Sequence, residues 1–169
     1  MRSGRRITGR AGLWPGPPAP AETAETADAD RALTELYRLH YRSLVRMAAL
    51  LVPDLATAED IVQDAFAAVY PAWPGSRDRP DAGAALSLLL RLVVDRSRAV
   101  PPGRRPGDSG LMSALWALPA RQREVLVLQY VADLPENQVA AAAGLSEAAV
   151  RHHVALAFSA LRAELPSVS

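Results

Sequence analysis

The sequence predicts an all-α protein built from two small helical modules that a short linker rich in proline and glycine joins. Along most of the chain apolar residues recur at intervals of three and four, which places them on one face of an α-helix. No stretch alternates apolar and polar residues as a half-buried β-strand would. Residues 100–110 contain three prolines and three glycines, a composition typical of linkers. They divide a first module, residues 31–99, from a second module, residues 111–169.

Residues 1–30 precede the first module and show no apolar periodicity. The run from Trp14 to Pro18 cannot continue a helix, because proline lacks the amide hydrogen that a helix interior uses. We expect a disordered N-terminal tail here. Translation from a start codon placed too far upstream explains the composition equally well.

Three helices are predicted in the first module, over residues 33–52, about 57–72 and about 84–99. The first keeps its helical apolar spacing from Leu33 to Leu51 and ends before Pro53. In the second, the stripe expected to face inward consists of Val62, Ala65, Phe66, Val69 and Trp73. In the third, the residues expected to be buried are Leu86, Leu89, Leu90 and Val93.

The periodic part of the second module begins at Leu118-Pro119, and proline is well tolerated at the first position of a helix. Residues 120–131 are rich in helix formers, and Leu134-Pro135 ends the helix. The apolar side chains expected to cover its buried face are Val125, Leu126, Leu128 and Tyr130.

A helix-turn-helix follows. Gly144 supplies the left-handed conformation that ends a helix over residues 136–143, and Ser146 supplies the N-cap of the next helix. In that next helix a single inward stripe is formed by Val150, Val154, Ala157 and Leu161. The second helix of such a pair enters the major groove of DNA and reads bases with its N-terminal half. An ordinary helical hairpin inside a core is the alternative.

Base reading would fall to side chains at the start of this last helix. The candidates are Glu147, Ala148, Ala149, Arg151, His152 and Ala155. The charge of the module is unfavourable for DNA, since from residue 111 onward it has four arginines and five acidic residues, and so a net charge of −1 with neutral histidines.

The first module carries two charged clusters. Asp60 and Asp64 lie four residues apart; acids in a first helical turn interact well with the positive end of the helix, and an exposed acidic face also suits a basic partner. These two interpretations are compatible. The basic cluster of the third helix consists of Arg91, Arg96 and Arg98. A solvated face explains it, and contact with nucleic-acid phosphates is the functional alternative.

Catalytic, cofactor and metal sites are not predicted. The chain has no cysteine, which excludes disulfides and thiolate ligands. His152 and His153 are adjacent and point about 100° apart on a helix, so they cannot share a metal as an i, i+4 pair can. His40 is interpreted as a packed histidine, and the Gly-Asp-Ser-Gly string at residues 107–110 as a coincidental match to serine proteases. We expect a protein that is not an enzyme.

Export and membrane signals are absent from the sequence pattern. The arginines near the N-terminus are not followed by the apolar run of a signal peptide. The longest apolar stretch, residues 86–94, is interrupted by Arg91 and is shorter than the roughly 20 residues that span a bilayer. A cytoplasmic protein without membrane insertion is expected.

Three segments occur in an informative order. Residues 57–66 read Thr-Ala-Glu-Asp-Ile-Val-Gln-Asp-Ala-Phe, residues 86–98 form the basic helix, and residues 118–126 read Leu-Pro-Ala-Arg-Gln-Arg-Glu-Val-Leu before the helix-turn-helix. In this order they resemble bacterial RNA polymerase sigma factors of the extracytoplasmic-function (ECF) group of the sigma-70 family. The resemblance covers about residues 33–165. Each motif is moderately specific, and their combination across a short linker is much more so.

The resemblance implies a function in transcription initiation and two modules that correspond to sigma regions 2 and 4. It implies that core RNA polymerase is contacted by Asp60, Gln63, Asp64 and Phe66. It implies that the helix carrying Arg91, Arg96 and Arg98 faces the minus-ten promoter element, while the helix from Glu147 reads the minus-thirty-five element. Core polymerase and promoter DNA are the implied partners, with an anti-sigma factor as a further one, and no cofactor is implied.

Three features differ from the pattern of the family, and one of them is the short linker. Asp95 stands where asparagine is common, and its charge would repel nucleic acid unless Arg91 or Arg98 neutralises it. The reading helix lacks basic residues at three positions where they are usual, Ala155, Leu156 and Phe158, which removes phosphate contacts. Two alternatives stay open: a sigma-like protein that binds polymerase or an anti-sigma factor without directing initiation, and a free-standing helix-turn-helix regulator.

Overall fold

A computed structural model describes residues 20–69, 82–101, 103 and 110–164, and within these ranges the chain forms helices and loops with no β-strand. The first three helices are α1 (Pro20–Ala48), α2 (Leu55–Val69) and α3 (Ala82–Ala99). The next four are α4 (Leu111–Ala117), α5 (Ala120–Leu126), α6 (Glu136–Ala143) and α7 (Glu147–Glu164). The π-helical turn Val127–Val131 extends α5. The all-α prediction is confirmed.

Helices α1, α2 and α3 pack on one another through the apolar stripes that their spacing predicts. Met47, Val62 and Val93, one from each helix, are fully buried in this core. Asp54 fixes the start of α2, because its carboxylate accepts hydrogen bonds from the Thr57 amide and hydroxyl, both at 2.8 Å. The start of α2 is therefore fixed.

Helix α1 is longer than the sequence analysis predicts. It begins at Pro20, so the last part of the predicted disordered tail is helical and that part of the prediction is wrong. Residues 20–32 include five alanines, and alanine is the strongest helix former, so they extend an existing helix without apolar periodicity. Residues 1–19, most of the predicted linker, and the predicted end of α2 with Trp73 lie outside the described residues.

Two features of the second module differ from the prediction. Helix α4 was not predicted, because seven residues are too short to show a period; Ala114, at its centre, packs with Leu118 and α7. Tyr130 was expected in the core and is 58% exposed. The π turn explains this difference: the Ala132 amide donates to the Val127 carbonyl five residues back, which rotates the following side chains relative to an α-helix.

The helix-turn-helix has the predicted geometry. Gly144 ends α6 with φ 65°, a left-handed conformation that a residue with a side chain adopts with strain. The Ala149 amide donates to the Ser146 hydroxyl at 3.2 Å, which caps α7. On α7 the predicted stripe faces inward, with Val150 and Ala157 fully buried.

The two modules are packed against each other. One continuous apolar core contains residues of α1–α3 together with residues of α5, α6 and α7. Helix α3 lies against α6, and the π turn touches α1. Gly103, beyond the end of α3, lies close to the first module, because a Cβ atom on it would lie 2.5 Å from the Cγ atom of Pro53.

Candidate protein and nucleic-acid interfaces

An acidic face on α2 contains three of the predicted polymerase contacts. Asp60, Gln63 and Asp64 are all exposed there. The Gln63 side-chain amide donates to the Tyr41 hydroxyl of α1 at 3.4 Å, which orients it beside the two carboxylates. A surface with two carboxylates and an oriented amide can bind arginine or lysine side chains of a partner protein.

Phe66 lies beneath this face, in the core. It is 6% exposed, and its ring packs 5.0 Å from the ring of Tyr37 and 6.5 Å from that of Tyr41. The prediction that Phe66 contacts a partner directly is therefore corrected: its side chain is core. Tyr37, whose ring is stacked on that of Tyr41 at 4.5 Å, is the aromatic side chain of this cluster that reaches the surface. Its exposure was not predicted, because it lies in an apolar stripe of the sequence.

Helix α3 carries the basic cluster, and Asp95 lies within it. The Arg98 Nη1 atom lies 2.9 Å from Oδ1 of Asp95, and the Arg91 Nε atom lies 4.0 Å from Oδ2. Asp95 is thus ion-paired with Arg98, which also pairs with Glu124, and lies at the outer limit of an ion pair with Arg91. Arg91 is exposed and Arg96 is half-buried, so α3 keeps positive charge at its surface.

Arg98 faces the second module. Its Nε and Nη2 atoms donate to the two carboxylate oxygens of Glu124, each at 2.8 Å, and Nη2 also donates to the Ala143 carbonyl at 2.6 Å. The Glu124 carboxylate raises the pKa of Arg98 above its ordinary value by accepting these bonds. The predicted contact of Arg98 with DNA stays a prediction, and in this arrangement it competes with the bonds that Nε and Nη2 make to α5 and α6.

Helix α7 presents the predicted reading face. Glu147, Ala148, Arg151, His152 and Ala155 are exposed, and Ala149 is half-buried. Arg151 is ion-paired with Glu136 at the start of α6, the first helix of the helix-turn-helix. The pair fixes the direction of the one arginine on this face and reduces its free charge.

Some residues near these surfaces were given no role by the sequence. The most consequential is Glu124, an acid buried between the two modules. Its sequence signal was its position one turn before buried Leu128, which puts a carboxylate in an apolar stripe. Tyr130 and Phe158 form an exposed aromatic pair, with ring centroids 5.4 Å apart in an edge-to-face arrangement.

Arg123 and Trp116 fasten α5 to α4. The Arg123 guanidinium lies 4.4 Å from the Trp116 ring centroid, and Nη1 donates to the Trp116 carbonyl at 3.2 Å. Burial lowers the pKa of Arg123 from its ordinary value, because the charged form loses solvation. The arginine is therefore part of the structure of the second module.

The histidines show no metal-binding geometry. His40 is half-buried, and the His152 and His153 rings lie 6.0 Å apart at different exposures. Within the described ranges no group of three histidine, aspartate or glutamate side chains could hold a metal ion. Among the same residues, no helix has both the length and the apolar character needed to cross a bilayer.

Comparison with protein families matches each module separately. Residues 36–95 match the model of Sigma-70 region 2, and residues 110–161 match that of Sigma-70, region 4. The first match contains the acidic face and most of α3, and the second contains the helix-turn-helix.

Individual relatives agree with the family models. The RNA polymerase sigma-E factor of Streptomyces antibioticus is 33% identical over 149 residues, which cover 78% of this chain and 83% of that protein. The ECF RNA polymerase sigma factor SigD of Mycobacterium tuberculosis is 32% identical over 120 residues, covering 56% of this chain and 57% of that protein. Among solved structures, CnrH in complex with the cytosolic domain of CnrY is similar with a TM-score of 0.69 and 28% identity, over 88% of this chain and 99% of that one.

Proposed function

We propose a division of labour between the two modules: the first docks on core RNA polymerase, and the second reads promoter bases. The chain belongs to the ECF group of the sigma-70 family of RNA polymerase sigma factors. The chain is a promoter-directing transcription initiation factor. Both modules match family models, so a free-standing helix-turn-helix regulator is set aside. The working compartment is the cytoplasm, where RNA polymerase acts.

Core docking is assigned to the acidic face of α2. The observation that carries this assignment is the exposure of Asp60, Gln63 and Asp64 on one rigid helix whose start is capped by Asp54. Two unburied carboxylates attract a basic surface and accelerate encounter with it. The aromatic ring of Tyr37 adds exposed apolar area beside them. Phe66 has a supporting role under these side chains.

Promoter contacts are assigned to α3 and α7. Arg91 and Arg96 lie on α3, the helix of the region 2 module proposed to face the minus-ten element, and they supply positive charge to phosphates. The exposed start of α7, with Arg151 and His152, is proposed to read the minus-thirty-five element in the major groove. The chemistry of initiation belongs to the polymerase.

Weak intrinsic affinity of the second module for DNA fits this division. From residue 111 onward the chain has a formal charge of −1, so few counterions are released when α7 binds DNA. Once the first module is docked, the promoter and α7 are held together, and the second contact becomes effectively intramolecular. The reading helix then needs specificity more than affinity.

Run-off transcription tests this proposal. The purified chain is mixed with core polymerase and a pool of fragments from its own genome, and transcripts are sequenced. We expect a set of start sites that share upstream elements and that disappear without the chain. Retention on core without open promoters would instead support the sigma-like interaction protein, and failure to bind core at all would contradict core docking.

An anti-sigma factor is proposed as the regulatory partner. The structurally similar CnrH was solved in complex with the cytosolic domain of CnrY. In this chain the exposed pair Tyr130 and Phe158, with Val131 beside it, provides apolar area for a partner helix. A candidate anti-sigma domain should bind the wild-type chain and compete with core polymerase. Binding that leaves the core complex intact would contradict this regulatory role.

A further inference from the structure

A charged cluster lies where α3 meets the second module. Glu124 of α5 has a side chain only 6% exposed, and it accepts hydrogen bonds from Arg98 at both oxygens. Arg121, one turn before Glu124 on the same helix, donates to it at 3.1 Å. The acid therefore has one partner in each module.

The same arginines also hold the helix-turn-helix. The carbonyl of Ala143, the last residue of α6, accepts a bond from Arg98 at 2.6 Å and from Arg121 at 3.1 Å. A carbonyl at the C-terminus of a helix carries partial negative charge and favours cations. Arg98 thus connects α3 to α5 and to the end of α6 at one point.

An apolar contact continues this junction along α3. Leu90 of α3 and Ala142 of α6 belong to the core shared by the modules. Beside them lies a cleft of about 390 Å³ lined also by Leu88, Arg91 and Gln138. The apolar contact between α3 and α6 is therefore bordered on this side by a solvent-accessible cleft.

This arrangement conflicts with promoter binding by α3. The helix proposed to face the minus-ten element has Arg98 engaged by Glu124 and part of its surface against α6. Arg98 is nevertheless 31% exposed, so a phosphate can reach its guanidinium from the solvent side. If Arg98 leaves, Glu124 keeps Arg121 as an ion-pair partner, which limits the free energy needed to break the contact.

We propose that the Arg98–Glu124 pair is an intramolecular latch that holds the two modules of the free chain in a closed state, and that Arg98 exchanges Glu124 for promoter phosphate when the modules separate on the polymerase. The part of this inference that concerns phosphate rests on the proposed function. The closed state of the free chain does not, because it follows from the packing of α3 against α5 and α6.

The absence of cysteine allows the latch to be tested by distance measurement in the full chain. Leu39 of α1 and Ser159 of α7, both exposed, are changed to cysteine and labelled with a fluorescent donor and acceptor. The wild-type background should show one compact distance. Glu124→Gln retains side-chain volume and removes the charge, and we expect the open fraction to rise about tenfold, because hydrogen bonds to charged groups are the strong ones.

Glu59→Gln is the matched control. It removes one negative charge from exposed α2, away from the junction, and should leave the distance distribution unchanged. Circular dichroism of both variants must show the same helix content, which separates opening from unfolding. Equal open fractions in Glu124→Gln and Glu59→Gln, or separated modules in the wild-type free chain, would overturn the latch.

Core polymerase supplies the second readout. If only the open state binds core, the apparent dissociation constant equals that of the open state divided by the open fraction. Glu124→Gln raises the open fraction and should therefore tighten core binding up to about tenfold. Weaker or unchanged binding together with an opened free chain would overturn the separation of the modules on the polymerase while leaving the closed state intact. A chain that never binds core would refute the proposed function, and the distance measurement would still decide the latch.

Discussion

The α3 surface and the α7 surface are both proposed to contact promoter DNA, and each contains an arginine paired with a glutamate from another helix. On α3, Arg98 pairs with Glu124 across the module boundary, and the glutamate side chain is 6% exposed. On α7, Arg151 pairs with Glu136 inside the helix-turn-helix, where the glutamate side chain is 28% exposed. The first pair sets how the modules sit together, while the second sets the direction of a single side chain.

The difference follows from solvation. Leaving a buried carboxylate without its partner is expensive, whereas a partly exposed pair exchanges readily with water and salt. Breaking the α3 pair should therefore change stability and module arrangement, and breaking the α7 pair should change DNA binding with little change in stability.

The largest effect is expected on core binding, from the exposed carboxylates of α2. Asp60→Arg combined with Asp64→Arg reverses the acidic face of α2 and should weaken core binding about 100-fold, because like charges are then opposed across an interface. Glu164→Arg, a charge reversal at an exposed acid on α7, is the control. Affinity is measured by fluorescence anisotropy of the labelled chain with core polymerase. Thermal unfolding should be unchanged, and unaltered affinity would remove this face from the docking site.

Arg98→Ala should have the next largest effect, on stability. It leaves Glu124 buried with Arg121 alone and removes a bond to the Ala143 carbonyl. After allowance for the partial exposure of Arg98, we expect a loss of about 2 kcal/mol in the free energy of unfolding. Urea denaturation followed by circular dichroism measures it.

Arg96→Ala on the same helix is the control for Arg98→Ala. Arg96 makes no ion pair with the residues that the structure describes, so its removal should change the urea midpoint by much less. Equal losses of stability in the two variants would show that the Glu124 pair does not anchor the modules, and the contrast between α3 and α7 would then fail.

Local sequence signals predicted α7 well and could not predict the junction with α3. Gly144 and Ser146 act on the residues beside them, so they indicated the start of α7, and the apolar stripe that includes Val150 indicated the side that faces inward. The partners Arg98 and Glu124 are 26 residues apart, and only tertiary packing brings them together. The exposure of Tyr130 depended on a π turn, which a search for α-helical period does not reveal.

The acidic face of α2 was also only partly predictable from the sequence. Helical spacing predicts that Asp60 and Asp64 share a face, and both are exposed on α2, whereas Gln63 was named only through the family resemblance. Phe66 was assigned both to the core and to a partner surface, and only the position of the Tyr37 and Tyr41 rings decided between these. Residue spacing predicts which side chains share a face of a helix, and tertiary packing decides which of them reach solvent.

Arg151→Ala tests the α7 side of the comparison. The variant should lose about tenfold in occupancy of the upstream promoter element in DNase footprints of the holoenzyme, because it removes the one arginine on the exposed start of the reading helix. Its urea midpoint should stay close to that of the wild type. An unaltered footprint would show that α7 does not dock through this end.

The smallest effect is expected for Glu136→Gln, and it distinguishes two functions of the α7 pair. If Glu136 mainly restrains and neutralises Arg151, its removal adds net positive charge near the reading helix and should raise upstream occupancy about two- to threefold at low salt. If the pair instead orients Arg151 for a specific base, the same variant should lower occupancy at the matched promoter while leaving non-specific DNA binding unchanged or stronger. Footprinting at two salt concentrations, with Glu164→Gln at the far end of α7 as the control, separates these outcomes. A loss of stability comparable to that of Arg98→Ala would mean that the α7 pair is as structural as the α3 pair, which its 28% exposed glutamate argues against.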